Sequence, residues 1–284
     1  MYVESLSLFT AFCYGASAVL ARKGMRDSNP MTGAVVGTLV QVVILSTLVV
    51  AAPPESFSWA GVAFFVASGI LASTLGRLTN YTSIERLGVP VSATIIGSSP
   101  LFSTAFAIAF IGERVAASTL LGTVLIVSGI ALTREGDGGG PRLSSAMLLP
   151  IVSAAFYGAS TVVRKVGLNI LPEATLGALV GAASSLASFA AYLVATGRLE
   201  TVRLSRNSGK YFLASGIVVS LGWVSMFEAL SAGGVSVVSA LIGANPLFSF
   251  GLSLLLLRDT EVFSWRNAFG CLAIVAGVAA ITLF

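Results

Sequence analysis

Long apolar runs separated by short polar segments follow one another along the whole chain, and no stretch alternates apolar and polar residues with a period of two. About 20 apolar residues cross a hydrocarbon core as a helix, and backbone groups in lipid are satisfied only in helices or closed barrels. Without the two-residue period, helices are predicted. The runs give ten spans, at 5–21, 31–52, 59–84, 89–111, 116–133, 146–163, 174–196, 211–231, 235–257 and 267–284. No Lys or Arg precedes the first run and Arg22-Lys23 follows it, the reverse of a cleaved leader, so it is expected to stay as a helix.

Composition agrees: of 284 residues 56% are apolar and 10% charged, with mean hydropathy +0.94, against roughly 25% charged in a soluble average. The predicted fold class is an all-α polytopic membrane protein with lipid as a partner. The pI near 9.3 does not imply nucleic acid, because the positive charge falls in interhelical segments instead of basic blocks interleaved with aromatics. Ten spans put both termini on one side. One set of loops then carries twelve basic residues, from Arg22 to Arg266, and the other carries Arg114, Arg164 and Lys165. The positive-inside rule makes the basic set cytoplasmic and both termini extracytoplasmic.

The only linker-like stretch, within 135–145, divides the spans five and five, and the halves 1–134 and 146–284 are copies. Tyr14-Gly15-Ala16-Ser17 recurs as Tyr157-Gly158-Ala159-Ser160, and Ala67-Ser68-Gly69-Ile70 as Ala214-Ser215-Gly216-Ile217. Gly33 and Gly37 match Gly177 and Gly181, as Gly122 and Gly129 match Gly270 and Gly277; close helix contact is their expected role. Val89 to Ser103 pairs with Val235 to Ser249 without a gap, identical at eight of fifteen positions. A repeat with an odd number of crossings enters the membrane from opposite sides in its two copies. Two inverted five-helix repeats are therefore expected, an arrangement found in secondary transporters.

The chain resembles the ten-helix branch of the drug/metabolite transporter superfamily, specifically its EamA-type exporters. The resemblance rests on Tyr14-Gly15 and Tyr157-Gly158, where the family usually has Trp-Gly, and on Pro100 and Pro246 in the fourth helix of each repeat. It rests also on Gly-Glu-Arg at 112–114, the weaker Asp-Thr-Glu at 259–261 and the glycine-spaced fifth helices. It implies a bacterial inner-membrane exporter of amino acids, with an aromatic amino-acid group among the relatives, or a carrier of sugar phosphates or nucleotide sugars.

The absence of histidine removes imidazole-based nucleophile systems, proton relays and metal sites. Cys13 and Cys271 have neither redox nor zinc spacing and are expected as small buried hydrophobes. No cofactor or metal is expected.

Pro100 and Pro246 lie mid-span, and each lacks the N–H that would bond the carbonyl four residues earlier, Ile96 or Ile242. Paired interruptions in equivalent helices point to a midplane substrate site. Ser98, Ser99 and Asn245 beside them are expected either to line that site or to tie off the kinks and hold helices together. Gly97 and Gly243, each three residues before its proline, are candidate hinges. Arg77 is the basic residue inside span three, with Ser73 and Tyr81 four residues either side and Asn80 three residues on. It is a partner for a carboxylate or phosphate, or it snorkels past Ile84, seven residues or about 10 Å away, to the surface. Tyr14, Tyr157 and Trp223 are candidate cavity aromatics, Glu228 a candidate for ion coupling, and Glu113 and Glu261 candidates for capping the dipoles of the helices that follow them.

The leading reading is a secondary transporter exporting amino acids or similar small polar metabolites. A membrane-embedded transferase on a lipid-linked substrate and a passive channel are the alternatives from other classes. The topology is tested by a reporter fused after Phe284: activity of an extracytoplasmic reporter is expected there, and activity confined to a cytoplasmic one would invert the orientation.

Overall fold

The computed structural model describes residues 1–87, 92, 95–133, 145–256 and 265–283, and every regular element among them is helical. The elements are α1 (Tyr2–Met25), α2 (Pro30–Ala51), α3 (Trp59–Ile70), a π segment (Leu71–Gly76), α4 (Arg77–Leu87), α5 (Ser99–Ile111) and α6 (Ala117–Thr133). Then follow α7 (Leu148–Ile170), α8 (Ala174–Ala195), α9 (Arg206–Ala232), α10 (Val235–Ile242), α11 (Asn245–Leu256) and α12 (Trp265–Leu283). Six described segments are long and apolar enough to cross a membrane: Tyr2–Met25, Pro30–Ala51, Trp59–Asn80, Ala174–Ala195, Arg206–Ala232 and Val235–Leu252. Lipid is the solvent that fits their surfaces. In α2, apolar along nearly its whole length, only Thr32, Gln41 and Leu45 are buried, while Val43 and Val50 of the same helix, and Phe110, Leu121 and Leu272 elsewhere on the surface, are open.

Local signals set the helix ends. Asn29 accepts from the Thr32 N–H at 2.8 Å to cap α2, with Pro30 in the first turn. Ser205 and Ser208 close a capping box, so α9 starts five residues before the expected 211 and takes Arg206 and Lys210 into its polar first turns. The expected span 146–163 continues to Ile170, which places Arg164 and Lys165 inside α7 and corrects their assignment to a loop. Arg114 is then the one basic residue in the described segments 52–58, 112–116, 171–173 and 233–234 that face the sparse side. The expected spans 59–84, 89–111 and 235–257 are not continuous α-helices: the first holds the π segment, and the others break ahead of Pro100 and Pro246. The expected linker at 135–145 lies outside the described residues, except for Ser145 in a short 3-10 turn.

Helix contacts recur in pairs that exchange the halves. Gly15 on α1 approaches α11 so closely that an added Cβ would stand 2.8 Å from the Ser249 nitrogen, and one on Gly158 of α7 would stand 2.8 Å from the Ser103 nitrogen of α5. Ser249 and Ser103 are matching positions of the duplicated stretch. The Ser160 hydroxyl donates to the Ser68 carbonyl at 2.9 Å, and the Ser215 hydroxyl to the Ser17 carbonyl at 2.9 Å. Along α6 and α12, an added Cβ on Gly122 or Gly277 would come within 2.6 Å of the other's carbonyl oxygen. Close backbone approach through small residues is the means of association that remains when lipid removes the hydrophobic drive. Gly37 takes part through its carbonyl, 3.2 Å from an added Cβ on Gly216, although the space its own side chain would take is open. Cys13 is buried among these contacts, as expected, whereas Cys271 is only half-buried.

One apolar cluster centres on Phe65 and Phe227, edge to face at 5.9 Å, and a second joins Ile126 and Ile130 to Leu241 and Ile274. At one end of the bundle, Gly112 takes φ +65° and closes α5. The next residue, Glu113, accepts from the Val235 and Ser236 N–H groups at 2.9 and 3.0 Å and from the Ser236 hydroxyl. Glu113 thus caps α10 in the other half of the chain, not the following helix α6 as expected. The reason is that the left-handed glycine turns the chain across the bundle before α6 begins. Lys165 donates to the Leu230 and Ser231 carbonyls at 2.7 and 3.4 Å, so the turn between α9 and α10 is held by a base on one side and an acid on the other. The other expected cap, Glu261, lies outside the described residues. Glu113→Ala should cost about 1–2 kcal/mol, the size of a lost helix cap, read as a lowered unfolding midpoint; wild-type stability would show that this cap holds nothing.

Candidate functional site

The two helix breaks are built from neighbouring backbone. Ahead of Pro100, the Ser98 N–H bonds the Ile95 carbonyl at 3.0 Å and the Ser98 hydroxyl donates to the same carbonyl at 2.6 Å. Ahead of Pro246, the Ala244 N–H bonds the Leu241 carbonyl at 3.0 Å, and the Asn245 amide donates to the Ile242 carbonyl at 3.0 Å. The Ile242 carbonyl is the one that Pro246 leaves without its helical donor. Asn245 therefore ties off the break with its nitrogen, and the residue also lines the adjoining cavity. The breaks meet there, for a Cβ on Gly243 would lie 3.1 Å from the Pro100 ring and 2.9 Å from the Ala240 carbonyl.

The cavity has a volume of about 560 Å³, within the range of small-molecule sites. It is lined from both halves, by Tyr14 and Ser17 of α1, Ala72 of the π segment, Arg77 and Asn80 of α4, and Gly97, Ser99, Pro100 and Ser103 around the first break. Tyr157, Thr161 and Arg164 of α7, Trp223 and Met226 of α9, and Ser239, Gly243, Asn245 and Pro246 around the second complete the polar and aromatic wall. Of the expected site residues, Tyr14, Arg77, Asn80, Ser99, Tyr157, Trp223 and Asn245 come together here with Gly97, Pro100, Gly243 and Pro246. Ser98 does not line the cavity, nor does Glu228, which is half-buried elsewhere on α9. The side chains of Tyr81 and Ser73 lie outside the described residues.

The π segment ends where the site begins. An i+5 turn inserted into an α-helix resets the register of the residues beyond it and is common at functional sites. Arg77 follows it directly and lies over the Phe189 ring at 5.4 Å, at the cavity wall. The Asn80 side-chain oxygen is buried and accepts no hydrogen bond. Tyr14 and Tyr157 serve both of their expected purposes. Each lines the cavity and packs its ring on a glycine, Gly222 at 3.1 Å and Gly76 at 3.1 Å from the position of an added Cβ.

Arg164 is a charged lining residue of the cavity that sequence reasoning missed. It is only 6% exposed, with its guanidinium 5.0 Å from the Trp223 ring centre and 5.8 Å from that of Phe227. One terminal nitrogen lies 3.6 Å from the Met226 sulfur, which also accepts from the Tyr14 hydroxyl at 3.3 Å; the Arg164 Nε is buried without a partner. A signal existed. Arg164 stands seven residues after Tyr157 and Thr161 four after it, one stripe of a helix, whereas Arg22 in the first copy stands eight after Tyr14 and turns off that face.

The bonds from Ser160 to Ser68 and from Ser153 to the Gly76 carbonyl align α7 antiparallel to α3 and the π segment. Arg77 is then level with residue 153, and Arg164 stands eleven residues further along, about 16 Å at 1.5 Å per residue. The cavity has a cationic side chain towards each end, and none of its described lining residues is acidic.

The model of the EamA-like transporter family matches residues 1–134 and 144–283. The chain belongs to the EamA-like transporter family. A solved crystal structure, described only as that of a protein, is similar with TM-score 0.81 over 99% of this chain and 96% of its own, at 18% identity, which is a likeness of fold. No curated protein matches. As a family member the chain is a multi-pass membrane transporter.

The contact between the breaks makes a direct prediction. Gly243→Ala should cost about 1–3 kcal/mol, because the methyl meets backbone and a proline ring, while Gly37→Ala, facing open space, should be neutral or stabilising. Equal unfolding midpoints for the two variants would show that the breaks do not pack as described.

Proposed function

We propose that the chain is a secondary transporter of the bacterial inner membrane that exports amino acids or similar small polar metabolites by alternating access. In this reading 1–134 and 146–284 are inverted five-helix repeats joined by the linker 135–145, and both termini are extracytoplasmic. The matching contacts of Gly15 on α11 and Gly158 on α5, and the bonds between Ser160 and Ser68 and between Ser215 and Ser17, support the repeats, since a twofold axis in the membrane plane would exchange them.

The observation that carries the proposal is the meeting of two helix breaks, at Pro100 and Pro246, on the wall of one cavity lined from both halves. Interrupted helices supply free backbone ends and a place to bend, so exchanging the shapes of the two halves moves the opening of the cavity from one side of the membrane to the other. Gly97 and Gly243 are the proposed hinges. Arg77, Asn80, Tyr81, Ser99, Asn245, Tyr14, Tyr157 and Trp223 are the proposed substrate contacts. Transport of sugar phosphates is the second reading, favoured by the two arginines of the wall.

The test is counterflow in proteoliposomes, since only a carrier accelerates uptake of labelled substrate when unlabelled substrate is inside. Asn245→Ala and Arg77→Ala should lower the rate at least tenfold with expression near normal. Arg77→Lys should rescue poorly, because an ammonium lacks the two-pronged fit to a carboxylate. Wild-type counterflow in both alanine variants would remove the site; full rescue by lysine would make Arg77 a snorkelling charge.

A further inference from the structure

We infer that Arg164 is the anion anchor of the transport cavity, and that the species carried is a net anion, its carboxylate or phosphate seated on this guanidinium, in preference to a neutral zwitterion. The inference rests on the carrier reading above and names its substrate class.

Burial comes first. Arg164 is 6% exposed on α7, and inside a membrane protein an ionisable side chain is expensive to bury and is normally paired. Its surroundings stabilise the cation without neutralising it: two aromatic faces and a thioether sulfur. Those contacts hold the guanidinium plane in place. They leave Nε buried without a hydrogen-bond partner in a side chain that lines the cavity, so the guanidinium is oriented and its hydrogen-bonding capacity is not used up. A planar two-oxygen acceptor fits such a group.

The charge count gives the class. Arg77 and Arg164 both line the cavity, and no described lining residue is acidic. The described carboxylates whose partners are resolved are committed elsewhere: Glu113 on α10, Glu173 on the Glu55 and Ser56 backbone, Asp27 on the Asn207 amide, and Glu4 on the amino terminus. A zwitterion would bring an ammonium into a wall that already holds two cations, and the Asn80 oxygen is one neutral acceptor to receive it. An anion seated on Arg164 brings no third cation into that wall.

The experiment uses the purified full chain and a panel built on aliphatic, aromatic and sugar scaffolds. On each scaffold a carboxylate or phosphate anion is matched with its zwitterion and its uncharged amide or alcohol. Binding is read by thermal stabilisation and by the fluorescence of Trp223 in a Trp59→Phe, Trp265→Phe background. On at least one scaffold the anion should bind at least tenfold more tightly than its matched partners, and Arg164→Met should weaken it about a hundredfold, the effect of removing one partner of a buried charge pair. If the methionine variant does not fold, Arg164→Lys carries the test, with about tenfold loss for anions and none for uncharged members. Equal affinity across a matched set, absence of anion binding on every scaffold, or equal weakening of all members overturns the inference. Anion-selective binding without counterflow overturns the carrier reading and leaves the anchor; counterflow unchanged in Arg164→Met overturns the anchor and leaves the carrier.

Discussion

A helix interrupted inside a bilayer exposes carbonyls that no solvent is there to satisfy. In this protein the interruptions ahead of Pro100 and Pro246 are tied off by the Ser98 hydroxyl on Ile95 and the Asn245 amide on Ile242. Those repairs allow the chain to pause mid-membrane, and the helices on either side then need neighbours close enough to shield the turns. Gly15 and Gly158 supply this closeness, bringing α1 against α11 and α7 against α5 at backbone contact distance. The cavity is the volume left where the two pauses meet. Substitution at these glycines therefore acts on the site through its frame.

What the sequence made legible follows the range of the forces involved. Membrane helices report themselves through runs of apolar residues, so the helical class and the approximate spans could be read directly. Pro100 and Pro246 marked the breaks because their missing donors are a covalent fact. Helix ends were harder: α9 begins within a charged segment that a hydropathy reading discards, although Ser205 and Ser208 signal the start. Arg164 was lost for the same reason. A pair of basic residues after an apolar run looks like a loop, and only the seven-residue spacing from Tyr157 shows that the helix continues with the arginine on its inner face.

The π segment and the Glu113 cap lay beyond such reading for a different reason. Leu71–Gly76 has no proline to announce a change of winding, and the extra residue per turn is decided by the packing of Gly76 on Tyr157 and Gly69 on Ser184. Glu113 precedes α6 in the chain, so dipole reasoning assigns it there. Its actual partner lies 122 residues away, and Gly234 leaves room for the carboxylate beside α10. Contacts between the halves arise from the docking of one half on the other, which local sequence does not encode.

Magnitudes decide what the two arginines mean for transport. An ion taken out of water costs several kcal/mol even after relaxation, whereas a desolvated cation over an aromatic face gains about 2 kcal/mol. Trp223 and Phe227 therefore offset only part of the cost of burying Arg164, and in the proposed reading a bound anion supplies the remainder. Binding alone moves nothing, since a ligand shifts a conformational equilibrium only by the difference between its affinities for the two states. The placement of the charges supplies such a difference. Arg164 and Arg77 stand towards opposite ends of the cavity, on α7 and α4, which belong to different halves of the chain. On the proposed alternating-access reading, a motion of one half against the other that alters the distance from these charges to a ligand between them would couple anion binding to the direction of opening.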